Sequence, residues 1–193
     1  EELVGFVKKT EINSIVIDVK DYSGRVSFDT GNEKIQAAGS EEIRIKDLPG
    51  IISEMHNAGI YVIARITVFQ DPFYAKRYPE SAVKRKNGML WKDRKGISYV
   101  DPAAKEFWDY IIEISKASEQ AGFDELNFDY IRFPSDGDMS DIVFPHAGTR
   151  AKPDVLDDFF SYLRAQLKES DASLPVPLSA AIFGMTTTNT DDL

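Results

Sequence analysis

In the stretch DELNFDYIRFP, Asp124 to Pro134, an aspartate stands at position 129 inside a strand-like run, with Arg132 close behind it. A carboxylate buried there without a partner is costly or neutralises, so Asp129 must be paired or must work. Strand alternation points to candidate partners. In INSIVIDVK (Ile12–Lys20), Ile15, Ile17 and Val19 share a face, and Asp18 and Lys20 lie opposite. In YVIARITVF (Tyr61–Phe69), Val62, Ala64, Ile66 and Val68 oppose Ile63, Arg65, Thr67 and Phe69. Asn127 and Asp129 oppose Leu126 and Phe128, and in PVPLSAAIF (Pro175–Phe183) Ser179 opposes Leu178 and Ala180. The unbroken apolar faces suit covering helices. The other faces gather Asp18, Lys20, Arg65, Asn127, Asp129 and Ser179 near the carboxyl ends of their strands. Acids and bases converging from four strands suit nucleophilic or acid–base chemistry at a carboxylate. The alternative is an ion-pair network, since buried charges pair wherever they occur.

The four apolar runs alternate with helical spacing: Leu48, Ile51, Ile52 and Met55; Phe107, Tyr110, Ile111 and Ile114; Leu156, Phe159, Phe160, Leu163 and Leu167. Asp101 and Pro102 read as the cap and first residue of the second of these helices. Strand–helix alternation predicts parallel strands joined by right-handed crossovers, near 12–19, 60–67, 124–131 and 176–182, adjacent in that order, with helices on one face. The fold class is α/β, of the TIM (β/α)8-barrel type. A complete barrel takes roughly 250 residues, so residues 1–193 are expected to be a single partial barrel of about four parallel strands. The opening EELVGFVKK reads as the tail of a helix. Loops after the strands are long and those before them short, which puts the working face at the strands' carboxyl ends. The longest, from Gln70 to Val100, has eight Lys or Arg against three Asp or Glu in a chain of net charge -9.

That acidic balance argues against nucleic acid as the main partner. No apolar run reaches the length of a membrane span. There is no cysteine and there are two histidines, so disulfides, thiol chemistry and a structural zinc site are not expected, and neither a metal nor a cofactor is implied. Lack of cysteine accords with an exported or cell-surface bacterial protein and equally with a cytoplasmic one. Open sheet edges and a partly apolar inner face predict self-association through the barrel edges, unless the chain is part of a longer one. Sedimentation and intact mass separate these outcomes.

The motifs VIDVKDYSG, RYPESAVKRKNGMLW, and VDPAAKEFWDYIIEI leading to GFDELNFDYIRFP resemble the glycoside hydrolase domain of bacterial proteins related to α-amylase and α-galactosidase barrels. The resemblance covers nearly the whole chain. It implies a carbohydrate substrate, with Asp129 as nucleophile at the end of barrel strand four. By that register INSIVIDVK is strand two and PVPLSAAIF strand five, so strand one and strands six to eight are missing. Hydrolysis with retention needs an ionised nucleophile and a protonated acid close by. Arg65 and Lys20 are expected to hold Asp129 ionised. The acid is open: Asp191 or Asp192, Asp71, or a residue beyond Leu193. Asp18, Lys20, Arg65, Asp71, Trp91, Asn127 and Arg132 are the expected substrate contacts. Tyr22, Phe69, Phe73, Tyr74 and Trp91 are aromatic candidates for stacking on sugar rings, Trp91 first because its loop is otherwise polar. Two other readings remain: a carbohydrate-binding barrel without a complete acid–base pair, and a metal-dependent lyase or isomerase of enolase type. The last wants carboxylates on three successive strands, which this chain does not offer.

Overall fold

The computed structural model describes residues 2–7, 9–168 and 176–182. After a short helix α1 (Glu2–Val7), the β-branched run forms β1 (Ser14–Lys20). There follow β2 (Val26–Phe28), α2 (Glu33–Ala38), β3 (Glu41–Ile45), α3 (Leu48–Asn57) and β4 (Tyr61–Thr67). Beyond these lie α4 (Pro72–Arg77), β5 (Lys84–Arg85), α5 (Lys105–Ala121), β6 (Glu125–Asp129), β7 (Ile142–Val143), α6 (Lys152–Lys168) and β8 (Leu178–Ala180).

Among the described residues, six strands form one sheet in the order β3-β2-β1-β4-β6-β8, and β5 and β7 form a separate antiparallel pair. The four expected strands are β1, β4, β6 and β8, and they are parallel and adjacent as expected. The sheet is a partial barrel and is not closed among these residues. Two further strands were not legible. β2 pairs antiparallel with the end of β1, and β3 lies parallel beyond it. The turn into β2 needs Gly24 at φ 83, where a Cβ would stand 2.0 Å from Asp71 Oδ1.

Helices α3, α5 and α6 bury their apolar stripes with the face of β4 and β6 that carries Val62, Ala64, Ile66, Leu126 and Phe128. Each of these side chains larger than alanine contributes about 1.5–3 kcal/mol when removed from water. Helix α3 starts where Asp47 accepts from the Gly50 amide. Helix α5 ends at Gly122, whose φ of 104 few other residues tolerate. Its start corrects the expectation: α5 begins at Lys105 with Ala104 at the cap, not at Pro102. Asp101 is instead fully buried, with Oδ1 accepting from the Ala103 amide and Oδ2 from those of His146 and Ala147. Those bonds tie two distant loops together, a role local spacing does not reveal.

A turn and a helix each add acid sensitivity to the fold. Burial raises the Asp21 carboxyl, but bonds from Ser23 and Arg44 outweigh it and leave its pKa lowered. Glu113 is likewise raised by burial and lowered more by Lys34 and Asn32. A depressed folded-state pKa gives stability that is present above the unfolded value and lost as pH falls through the folded one. The urea midpoint is therefore expected to fall as pH drops below about 4.5. Asp21→Asn should flatten that slope; an unchanged slope would show that the Asp21 contacts are not made in solution.

Candidate functional site

Asp129 ends β6 on the uncovered face of the sheet, beside Thr67 of β4 in register. Its Oδ2 accepts from Arg65 Nε at 2.9 Å and also from Arg65 Nη2, while Oδ1 accepts from the Tyr130 amide at 2.6 Å. Arg65 Nη1 reaches Asp18 Oδ1 at 3.0 Å. Three strands thus converge on one charge chain, Asp18–Arg65–Asp129. The Asp129 hydrogen bond raises the Arg65 pKa, so the guanidinium stays charged beside the carboxylate. The backbone turns sharply at Tyr130, a non-glycine residue at φ 53, a conformation that costs on the order of 1 kcal/mol and gathers at working sites.

Lys20 is not part of this cluster. Pairing runs Asp18 with Arg65, then Lys20 with Ile66, so Val19 is an extra residue in β1. That bulge reverses the alternation and turns Lys20 toward the helices. There its Nζ donates to Thr67 O at 2.6 Å and lies 2.9 Å from Asp71 Oδ2, in an ion pair made off the hydrogen-bonding axis. Both side chains are 0% exposed. Asp71 Oδ1 accepts from the Tyr74 amide and caps α4. Lys20 and Asp71 are therefore interior residues, and neither faces the open side of Asp129.

Asn127 also has a different partner from the one expected. Its Nδ2 donates to Ser179 Oγ, which donates to Glu125 Oε1 at 2.5 Å, and the Tyr61 hydroxyl donates to Glu125 Oε2. This network stitches β6 to β8 and β4. Glu125 belongs to the same alternating row as Asn127 and Asp129 and is legible by counting one step back.

A cleft of about 800 Å³ opens at Asp129, with Tyr22, Tyr130, Arg132, Phe160 and Ile182 in its lining. Arg132 Nη1 donates to Ser135 Oγ. Tyr22 is 62% exposed and offers a ring to the cleft. Three of the aromatic expectations are corrected. Trp91 is 1% exposed, Phe69 packs on Phe107 and Phe159, and Tyr74 lies among Tyr78, Phe107 and Tyr110. Phe73 lies under Arg25. Tyr130 and Phe160 were missed. Phe160 falls within the apolar stripe of α6, at its edge, and is 37% exposed there.

The long basic loop builds one wall of the cleft. Val83, Trp91 and Tyr99 form a small core with Ile142 and Phe144, the β5–β7 pair joins it, and Trp91 Nε1 donates to Asp138 O. This wall places Asp93, Lys95, Ile97, Tyr99 and Asp136 in the cleft. Burial pushes the Tyr99 phenol up to about 12, with Arg132 lowering it and Asp93 and Asp136 raising it. Asp191 and Asp192, the expected acids, lie outside the described residues. No group of three or more metal-ligating side chains occurs among the described residues, and no described helix is long and apolar enough to cross a membrane.

A family model described as "Putative glycosyl hydrolase domain" matches residues 1–193. No curated protein matches the chain. Among solved structures, a hypothetical protein from Ruminiclostridium thermocellum ATCC 27405 is similar at 34% identity and TM-score 0.83, over 95% of this chain and 90% of that one. Alpha-L-fucosidase isoenzyme 2 from Paenibacillus thiaminolyticus is similar at 16% identity and TM-score 0.60, over 92% of this chain and 28% of that one. An alpha-galactosidase from Thermus thermophilus aligns at 12% identity and TM-score 0.56, over 93% of this chain and 33% of that one. At such identities the last two report fold alone, and the chain spans about a third or less of either enzyme's length.

Proposed function

The chain belongs to the glycosyl hydrolase domain family whose model it matches, and on that premise we propose that it hydrolyses glycosidic bonds of a polysaccharide or oligosaccharide, with Asp129 as nucleophile. Family membership supports a carbohydrate-active function; the reaction and the residue are our reading. The observation that carries it is the environment of Asp129. Arg65 and the Tyr130 amide fix the carboxylate by hydrogen bonds at the mouth of a cleft, oriented as attack on an anomeric carbon requires. Arg65 is braced by Asp18, so the nucleophile is oriented by groups on rigid strands. Tyr22 and Tyr130 supply ring faces for the apolar side of a sugar.

The test is release of reducing ends from a panel of polysaccharides, together with labelling by 2-deoxy-2-fluoro glycosyl fluorides. The expected result is hydrolysis of at least one glycan and a covalent mass increase on the peptide containing Asp129. Neither hydrolysis nor labelling across the panel would sink the proposal. One observation favours a second reading, a carbohydrate-binding domain without turnover: Ala180 at the end of β8 and Ala181 and Ile182 just after it offer no acid. Glycan binding without hydrolysis would select it.

A further inference from the structure

Among the described residues, three carboxylates line the cleft, those of Asp129, Asp93 and Asp136, and they differ in what holds them. Asp129 is clamped by Arg65 and by the Tyr130 amide. Asp93 Oδ1 accepts from the Lys95 and Ile97 amides, at 2.9 and 2.8 Å, so it is committed to shaping its own loop. Asp136 has no hydrogen-bond donor or ion-pair partner among the described residues, yet the loop that presents it is fixed on both sides. Before it, Ser135 accepts from Arg132. After it, Gly137 lies so close to the Trp91 ring that a Cβ would stand 2.7 Å from Cζ2, and the Trp91 indole donates to Asp138 O. A buried tryptophan in a polar loop, which the sequence offered as a sugar platform, thus holds a carboxyl-bearing loop in place.

We infer that Asp136 is the acid–base partner of Asp129, because it is the cleft carboxyl left uncommitted on a loop held rigid by Trp91 and Gly137. The inference rests on the hydrolase reading above and supplies the acid that the strand ends lack. In the first half-reaction an Asp129 oxygen bonds to the anomeric carbon, and the bond from that carbon to the leaving oxygen breaks. The Asp136 carboxyl passes its proton to that oxygen. In the second, the Asp136 carboxylate takes a proton from water, the water oxygen bonds to the anomeric carbon, and the ester to Asp129 breaks. Both carboxyl groups return to their starting states.

The test compares Asp136→Asn with the wild type on whichever glycan the panel shows to be cleaved, and on the 2,4-dinitrophenyl glycoside of the same sugar. On the glycan, turnover of the variant is expected to fall by about 10²–10⁴-fold, and the basic limb of the pH profile should disappear. On the dinitrophenyl glycoside, whose leaving group needs no proton, glycosylation should be nearly unaffected. Added azide should restore turnover and yield the glycosyl azide. A merely structural loop residue would give none of this pattern. Asp93→Asn is the comparison: it should lower the melting temperature and show no azide rescue. Glycan turnover within a few-fold of wild type with an unchanged pH profile would overturn the assignment while leaving the hydrolase reading intact. Equal losses on both substrates without azide rescue would also overturn it. A wild type that cleaves nothing in the panel overturns the hydrolase reading and this assignment with it.

Discussion

Asp129→Asn is expected to reduce turnover by on the order of 10⁴-fold or more, which corresponds to about 5 kcal/mol of lost transition-state stabilisation. The amide is close to isosteric with the carboxylate, keeps an oxygen for the Tyr130 amide, and cannot form the covalent ester. The fold should survive. Arg65 keeps Asp18 as a partner at 3.0 Å and is partly open to solvent, so screening limits the loss to about 1 kcal/mol. The same variant should fail to label with a 2-deoxy-2-fluoro glycosyl fluoride, while its far-UV circular dichroism matches the wild type. Turnover within tenfold of wild type would make Asp129 a structural ion-pair partner of Arg65. Asp18→Asn should have a smaller effect, because Asp18 acts on the carboxylate only through the guanidinium.

Removing Lys20 is expected to be strongly destabilising. Lys20→Met leaves the Asp71 carboxylate buried with no countercharge and Thr67 O without its donor. Breaking a buried pair from one side costs about 3–5 kcal/mol, or roughly 10 °C in melting temperature for a chain of this size. The double change Lys20→Met with Asp71→Asn should recover most of that loss. It removes both charges, and the amide oxygen can still cap α4 through the Tyr74 amide. Recovery is the informative result: a double variant as unstable as the single one would show that lost contacts, rather than the stranded charge, set the cost. Turnover should fall as well, because Thr67 is the register neighbour of Asp129 and Lys20 secures its carbonyl.

The sequence by itself determined the parallel strands, their order and the helices over one face. Those features follow from the two-residue and 3.6-residue apolar periods, and periods are local. It also determined that Asp18, Arg65 and Asp129 share the uncovered face, since alternation within each strand and a common register suffice for that. What tertiary structure decided falls wherever the chain breaks its period or meets itself from afar. One extra residue at Val19 moves Lys20 from the site to the interior, and nothing in INSIVIDVK marks a bulge. Strand β2 has three residues, too few to show alternation, and β3 (EEIRI) is mostly charged and exposed, with no apolar face to mark it. Trp91 looked like a platform because its sequence neighbours are polar; it is buried because a second loop, 47 residues onward at Asp138, closes over it through Asp138 and Gly137. The cleft carboxylates Asp93 and Asp136 come from those same two loops, which have no repeating pattern. Asp101 and the Trp91 cluster hold the loops together by hydrogen bonds and burial between residues distant in the chain. Periodicity reports which face a side chain takes on its own element, whereas contacts between loops depend on where the sheet carries their ends.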